Sequence, residues 1–215
     1  MVCSYPEGRK MKDSEKIEVA EKRIKELHDA DDLKKLQEQE KAKITEFYEQ
    51  RSKSRVETAM LIFSYSDDAK TNKQNEVSSE YKDYGEVVAA SYYAMYYIVH
   101  AYIAKRYGLK LREDIRGVHA ITQQLVLYYL VKTNQLAMHL YNEYLKTMED
   151  TVELQNITMD NFQKEAFKYA EKYEGSKNAR EIFTYDVTKN VEKYHAKKAL
   201  ETAEQFIGKI RDIMR

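Results

Sequence analysis

Glu86-Val-Val-Ala-Ala-Ser-Tyr-Tyr-Ala-Met-Tyr-Tyr-Ile-Val-His-Ala-Tyr-Ile-Ala-Lys-Arg-Tyr-Gly108 is the longest stretch of the chain with almost no charge, and its reading decides the fold. Apolar and aromatic residues fall on every face of a helix drawn through it. Small residues (Ala90, Ala94, Ala101, Ala104) recur at helical spacing, and Gly108 stands where a left-handed C-terminal cap belongs. A helix apolar all round is either in a bilayer or surrounded by other helices. Tyr92, Tyr93, Tyr96, Tyr97, Tyr102 and His100 would each leave a polar group in lipid, so the stretch reads as the buried centre of a bundle, with no membrane.

Composition agrees. One proline, 6 glycines and 33% charged residues leave few helix breakers, which predicts an all-α fold. Lys plus Arg (36) balance Asp plus Glu (36), so any affinity for nucleic acid must come from local patches rather than from net charge. The single cysteine, Cys3, excludes an internal disulfide and a multi-cysteine metal site, and points to a reducing, cytoplasmic setting. The polar run from Met1 to Lys12 does not read as a signal peptide.

Outward from the centre, residues 1–12 read as a disordered tail, 13–43 as a helical or coiled-coil-like N-terminal extension, and 44–215 as the bundle. In the extension Ser14 is a candidate N-cap. Ile17, Ala20, Ile24 and Leu27 make a thin apolar stripe, and an Asp in His28-Asp-Ala-Asp-Asp32 caps a second helix carrying Leu33 and Leu36. Glu38 to Lys43 reads either as a solvated tail or as an arm pairing with another copy. Ile44, Tyr48, Val56, Ala59, Met60, Ile62 and Phe63 predict the first bundle helix, and 66–82 a polar connection. After the central helix and a basic loop over 105–117, helices are expected over 118–131 and from Leu136 toward Leu154. A short one follows Asp160, and a long last one runs from Thr188 to Met214.

The Ala-Ser-Tyr-Tyr-Ala-Met-Tyr-Tyr run of the central helix carries a family resemblance when taken with three later segments. These are Arg116-Gly-Val with the helix up to Leu130-Val-Lys-Thr-Asn-Gln-Leu136, then Ala179-Arg-Glu-Ile-Phe-Thr-Tyr185, then Ala199-Leu-Glu-Thr-Ala-Glu-Gln-Phe206. Over about residues 45–214 the chain resembles the HEPN domain family, in particular its small prokaryotic members. The resemblance implies a HEPN-like up-and-down helical bundle, a homodimer, and a place in toxin–antitoxin or defence systems beside a partner such as a nucleotidyltransferase. Catalytic members are metal-independent endoribonucleases whose Arg, followed four to six residues later by His, acts across the dimer. The His moves a proton at the RNA 2′-hydroxyl and the Arg stabilises phosphorane oxygens. The corresponding pair here is Arg180 and Tyr185, so histidine is absent and a tyrosine with a pKa near about 10 replaces it. A degenerate catalytic motif follows. The alternative is that Arg180 pairs with a carboxylate and Tyr185 caps the core.

A second Arg-to-His spacing, Arg112 to His119, fits the pattern in spacing but not in position, and Gly117 interrupts any single helix through it. With Lys105, Arg106, Lys110 and Arg116 the same loop is the candidate phosphate- or RNA-binding segment, or else simply a solvated one. His100 reads as a core residue. None of the histidines forms a metal-binding pattern, and no cofactor is implied. Lys189, Lys193 and Lys197 make a stripe that is either a solvated face or an electrostatic track. Three functions remain open: an RNA- or nucleotide-associated module working with a protein partner, an active metal-independent endoribonuclease, and a purely structural helical protein.

Overall fold

The computed structural model describes residues 11–78, 80–152 and 187–215. The sequence readings for residues 156–185, including Arg180 and Tyr185, fall outside these, as do residues 1–10. The elements are α1 (Asp13–Asp29), β1 (Leu33–Lys35), α2 (Glu38–Asp67), α3 (Ala69–Gln74), α4 (Tyr84–Tyr107), β2 (Leu109–Leu111) and α5 (Val118–Val126). A π-helical turn (Leu127–Val131), a helix α6 over 138–152, and α7 (Val187–Met214) complete them. Among the described residues the fold is all-α apart from the two short strands, as composition predicted.

α4 is the predicted centre. Asp83 caps its start by accepting from the Glu86 N–H at 3.1 Å. Gly108 ends it in the left-handed region (φ 64°) with its N–H on the Ala104 carbonyl at 3.0 Å. The helix is long and apolar enough to cross a membrane, with mean hydropathy 1.2, yet 83% of that span is buried by its neighbours. Those neighbours are chiefly α2 and α7.

α2 meets α4 through a stripe not expected from its large apolar residues. Its buried positions are Thr45, Ser52, Ala59 and Ser66, one every seven residues. A period of 3.5 residues keeps one seam facing a partner helix, and small side chains let the backbones approach. Accordingly Ser52 donates to the Ala94 carbonyl at 2.9 Å, and Ala90, Ala94 and Ala101 are fully buried. Tyr48, Val56, Ile62 and Phe63 flank the seam half-buried, whereas Met60, read from sequence as buried, is 41% exposed. At the far end Ser66 ties α2 to the start of α4: its carbonyl accepts from the Tyr84 hydroxyl (2.9 Å) and the Lys82 ammonium, and its hydroxyl from the Asp83 N–H (2.9 Å).

One further expectation is corrected and two are refined. Residues 33–35 are a strand, not a helix: they pair antiparallel with β2, Leu33 opposite Leu111, Lys34 opposite Lys110 and Lys35 opposite Leu109. The alternation that puts Leu33 and Leu111 inward and lysines outward fits a half-buried strand of period two better than a helix. The basic segment over 105–117 therefore begins as the end of α4 and contains the strand Leu109–Leu111. The extension packs on the bundle: Ala20, Ile24, Leu27 and Leu33 belong to the same core as Met95, Ile98, Leu125, Leu130 and Phe206, with α1 lying on α5 and the π-turn, and residues 38–43 open the helix α2. Finally, the helix expected over 118–131 widens at Leu127, where the Lys132 N–H reaches the Leu127 carbonyl (2.8 Å). The π-turn brings Tyr129 against Tyr107 (ring centroids 4.3 Å) and its hydroxyl to His28 Nε2 (3.3 Å).

Candidate functional site

The site is built where α2, α4 and α5 meet. Between Tyr92 and Tyr97 the all-apolar helix α4 turns a tyrosine-rich face outward: Tyr92 is buried, while Tyr93, Tyr96 and Tyr97 are half-buried. α2 supplies Tyr48 and the exposed Phe47 one residue before it. α5 supplies His119 in its first turn, directly after Gly117, whose positive φ (73°) sets the entry of that helix.

The rings form one continuous strip. Phe47 meets Tyr48 edge-on (centroids 5.3 Å), Tyr48 lies 6.2 Å from Tyr97, Tyr97 5.3 Å from Tyr96, and Tyr96 6.4 Å from Tyr93. His119 sits in the middle, 5.3 Å from Tyr96, 5.8 Å from Tyr93 and 5.6 Å from Tyr92. These are the offset and edge-to-face distances that aromatic quadrupoles favour. An arginine stands at each end: Arg51 over Phe47 at 5.3 Å and Arg55 over Tyr93 at 5.7 Å. Arg55 also faces Glu86 at 3.8 Å, while Arg51 has no carboxylate partner among the described residues.

Behind the strip, His100 is fully buried. Its Nε2 donates to Thr122 Oγ1 (3.0 Å), whose own proton goes to the Val118 carbonyl (2.7 Å). Burial, and then the neighbouring His119, push His100 down to about 4. Burial lowers His119 as well, raises Tyr92 to about 12, and raises Tyr96 and, together with Tyr97 and Glu113, Tyr48. At neutral pH Tyr48, Tyr92 and Tyr96 keep their protons and both imidazoles are uncharged. The strip therefore offers ring faces and hydrogen-bond donors, with positive charge only at its arginine ends.

The residues singled out from sequence are placed differently. His119 lies in the strip. Arg112 does not join it, because its guanidinium pairs with Asp32 (3.0 Å) and Asp114 (2.5 Å) across the β1–β2 ribbon. Lys110 is taken by Glu113 at 3.1 Å. Thus two of the five loop cations are already neutralised, by acids that include Asp32, which immediately precedes the distant strand β1. Lys105, Arg106 and Arg116 are exposed and carry no ion pair among the described residues. Lys105 opens on a cleft of about 320 Å³ also lined by Lys53, Arg211, Glu46 and Glu49. Of the lysine stripe on α7, Lys193 pairs with Asp67 and Lys197 lies 3.9 Å from Glu201. His195 faces Asp150 at 3.4 Å and joins α7 to α6. Among the described residues no three His, Cys, Asp or Glu side chains converge as a metal-holding group.

Sequence reading missed Phe47, Arg51 and Arg55 as parts of one surface. The signal was present in the spacing, since Phe47, Tyr48, Arg51 and Arg55 share one face of α2 at helical intervals, but only the heptad seam reveals that this face borders the tyrosines.

Fold and site together define an all-α protein that carries a cation-ended aromatic strip on its surface. No known protein family, curated protein or solved structure gives a match to the chain.

Proposed function

We propose that this protein is an RNA- or nucleotide-associated helical module that binds without cleaving, and that its binding surface is the strip from Phe47 to Tyr93. The observation that carries the reading is the juxtaposition of half-exposed rings with Arg51 and Arg55. Every base has a π-face, so such platforms hold single strands largely irrespective of sequence, each stacked base contributing about 1–3 kcal/mol, with arginines adding cation–π and phosphate contacts. Uncharged imidazoles and protonated phenols suit stacking and hydrogen bonding better than proton transfer. The resemblance to the HEPN family supports the same reading and extends it to a homodimer in a toxin–antitoxin or defence system, with a nucleotidyltransferase-type partner.

Fluorescence anisotropy with a labelled single-stranded RNA decamer tests the proposal. Binding is expected at low salt, with Tyr96→Ala and Arg51→Ala each weakening it by about tenfold, within the range of one lost stack or cation contact. The salt dependence should be shallow, because few phosphates are neutralised. Wild-type protein that leaves the decamer unbound at tens of micromolar, or a Tyr96→Ala variant that binds as tightly as wild type, overturns it.

A further inference from the structure

His119 and Tyr92 make a hydrogen bond whose direction can be read from their surroundings, and that direction fixes what the strip can recognise. Tyr92 Oη lies 2.8 Å from His119 Nδ1. One of the two atoms donates. Tyr92 is 2% exposed, and the other polar group beside its hydroxyl is the buried Tyr144 phenol, whose own proton has no other partner among the described residues. Were Nδ1 the donor, one of the two phenol protons would be buried without a partner, which typically costs about 1–3 kcal/mol, whereas Tyr144 donating to Tyr92 and Tyr92 to Nδ1 leaves none. With Tyr92 donating, both groups are satisfied. Nδ1 is then the acceptor, and the ring proton of the neutral imidazole resides on Nε2. Nε2 has no hydrogen-bond partner among the described residues, although His119 is half-buried between Tyr93 and Tyr96. His100 shows the contrast: its Nε2–H is consumed by Thr122 inside the core, and nothing is left for a ligand.

Resting on the stacking reading above, we propose that His119, held by Tyr92 as its Nε2–H tautomer, is the strip's directional hydrogen-bond donor, and that it reads an acceptor atom on the edge of a base stacked against Tyr96. A ring on Tyr96 brings its edge, not its face, toward the neighbouring imidazole, and base edges carry carbonyl oxygens and imine nitrogens that accept one N–H. Tyr92 is a positioning residue in this scheme. It touches no ligand and acts by selecting the tautomer.

The experiment has two arms on the full chain. Long-range ¹H–¹⁵N correlation NMR of the free protein reads the tautomer of His119: Nε2–H in wild type, and a mixture of both tautomers in Tyr92→Phe. Anisotropy then compares a uridine decamer with an abasic decamer of the same length. His119→Phe, which keeps a ring but no donor, is expected to weaken the uridine decamer about three- to tenfold, the range of one neutral hydrogen bond. The same variant should leave the abasic decamer unchanged, and His119→Gln, which restores an N–H donor, should recover part of the loss. A parallel loss on the abasic strand would show a phosphate, not a base, as the acceptor and would overturn the base assignment. An Nδ1–H tautomer in wild type, or His119→Phe binding uridine as tightly as wild type, overturns the proposal while leaving the stacking surface standing. Absence of wild-type binding to the uridine decamer removes the functional reading itself and this donor with it.

Discussion

At the scale of single residues the chain separates two histidines that look alike in sequence. His100 and His119 both flank Tyr96, but His100 is enclosed and bonded within the core while His119 remains half-buried with one ring nitrogen unused. A consequence for stability follows for His100. Its folded pKa of about 4 lies below the unfolded value of 6.5, so between these pH values the unfolded chain binds more protons than the folded one. Stability is therefore intact above about 6.5 and declines as the pH falls toward about 4, by roughly 2 kcal/mol between pH 7 and pH 5 from this residue alone. Burial lowers His119 too, which adds in the same direction. Urea unfolding at pH 7 and pH 5 measures the slope, and a His100→Gln variant should lose about that much of it. An unchanged slope would mean that His100 is not kept neutral by the fold. That His100 is a core residue was legible, because it stood on a helix apolar all round. Its proton partner was not, since Thr122 lies 22 positions away on another helix.

Elements show where pattern reading succeeds and where it fails. α4 was legible from its composition and its Gly108 cap, because a fully buried helix needs no face and a left-handed terminus needs glycine. Gly108→Ala should leave packing untouched, as a Cβ there meets nothing within 4 Å, yet cost about 1 kcal/mol through its φ of 64°. Thermal unfolding would report the loss. α2 was misread because apolar bulk was taken as the mark of burial, whereas the buried seam is Thr45, Ser52, Ala59 and Ser66, with Tyr48 and Phe63 meeting α4 from its sides. Close backbone approach selects small residues, and the large ones are left at the sides, with Leu61 56% exposed. Ala59→Leu should accordingly destabilise by about 1–3 kcal/mol through overpacking, while Leu61→Ala, on the outside of the same helix, changes stability by less than about 0.5 kcal/mol. The same distinction applies to α1. Its stripe was legible, but its destination was not, since the surface α1 packs on is assembled from α5 and the π-turn far along the chain. Leu27→Ala is expected to cost about 2–5 kcal/mol in the single unfolding transition of the whole chain. A free arm would lose nothing.

For the molecule as a whole, the class of fold could be read from sequence because it depends on sums: few breakers, balanced charge, one apolar centre. The strip could not, because it depends on which faces of α2 and α5 border α4, and the cationic loop was overvalued because Asp32 reaches Arg112 only once β1 pairs with β2, while Glu113, three residues on, takes Lys110. These placements bear directly on chemistry. His100 is committed to Thr122, His119 accepts from Tyr92 at the nitrogen a base would use, and Arg112 is held in two ion pairs. The remaining pair suggested by the family resemblance, Arg180 and Tyr185, lies outside the described residues and has a phenol where a proton shuttle is required. General acid–base catalysis typically contributes about a hundred- to ten-thousand-fold, and a group with a pKa near about 10 forfeits most of it at neutral pH. The purified protein should therefore bind a single-stranded RNA decamer and leave it intact over hours in EDTA. Introducing Tyr185→His is the informative step: a gain of EDTA-resistant cleavage that leaves a 2′,3′-cyclic phosphate and disappears in Arg180→Ala would show that only the shuttle was missing. Vigorous EDTA-resistant cleavage by the unmodified chain, abolished by Arg180→Ala, would instead make the protein an active ribonuclease and reduce the aromatic strip to the part that holds the substrate.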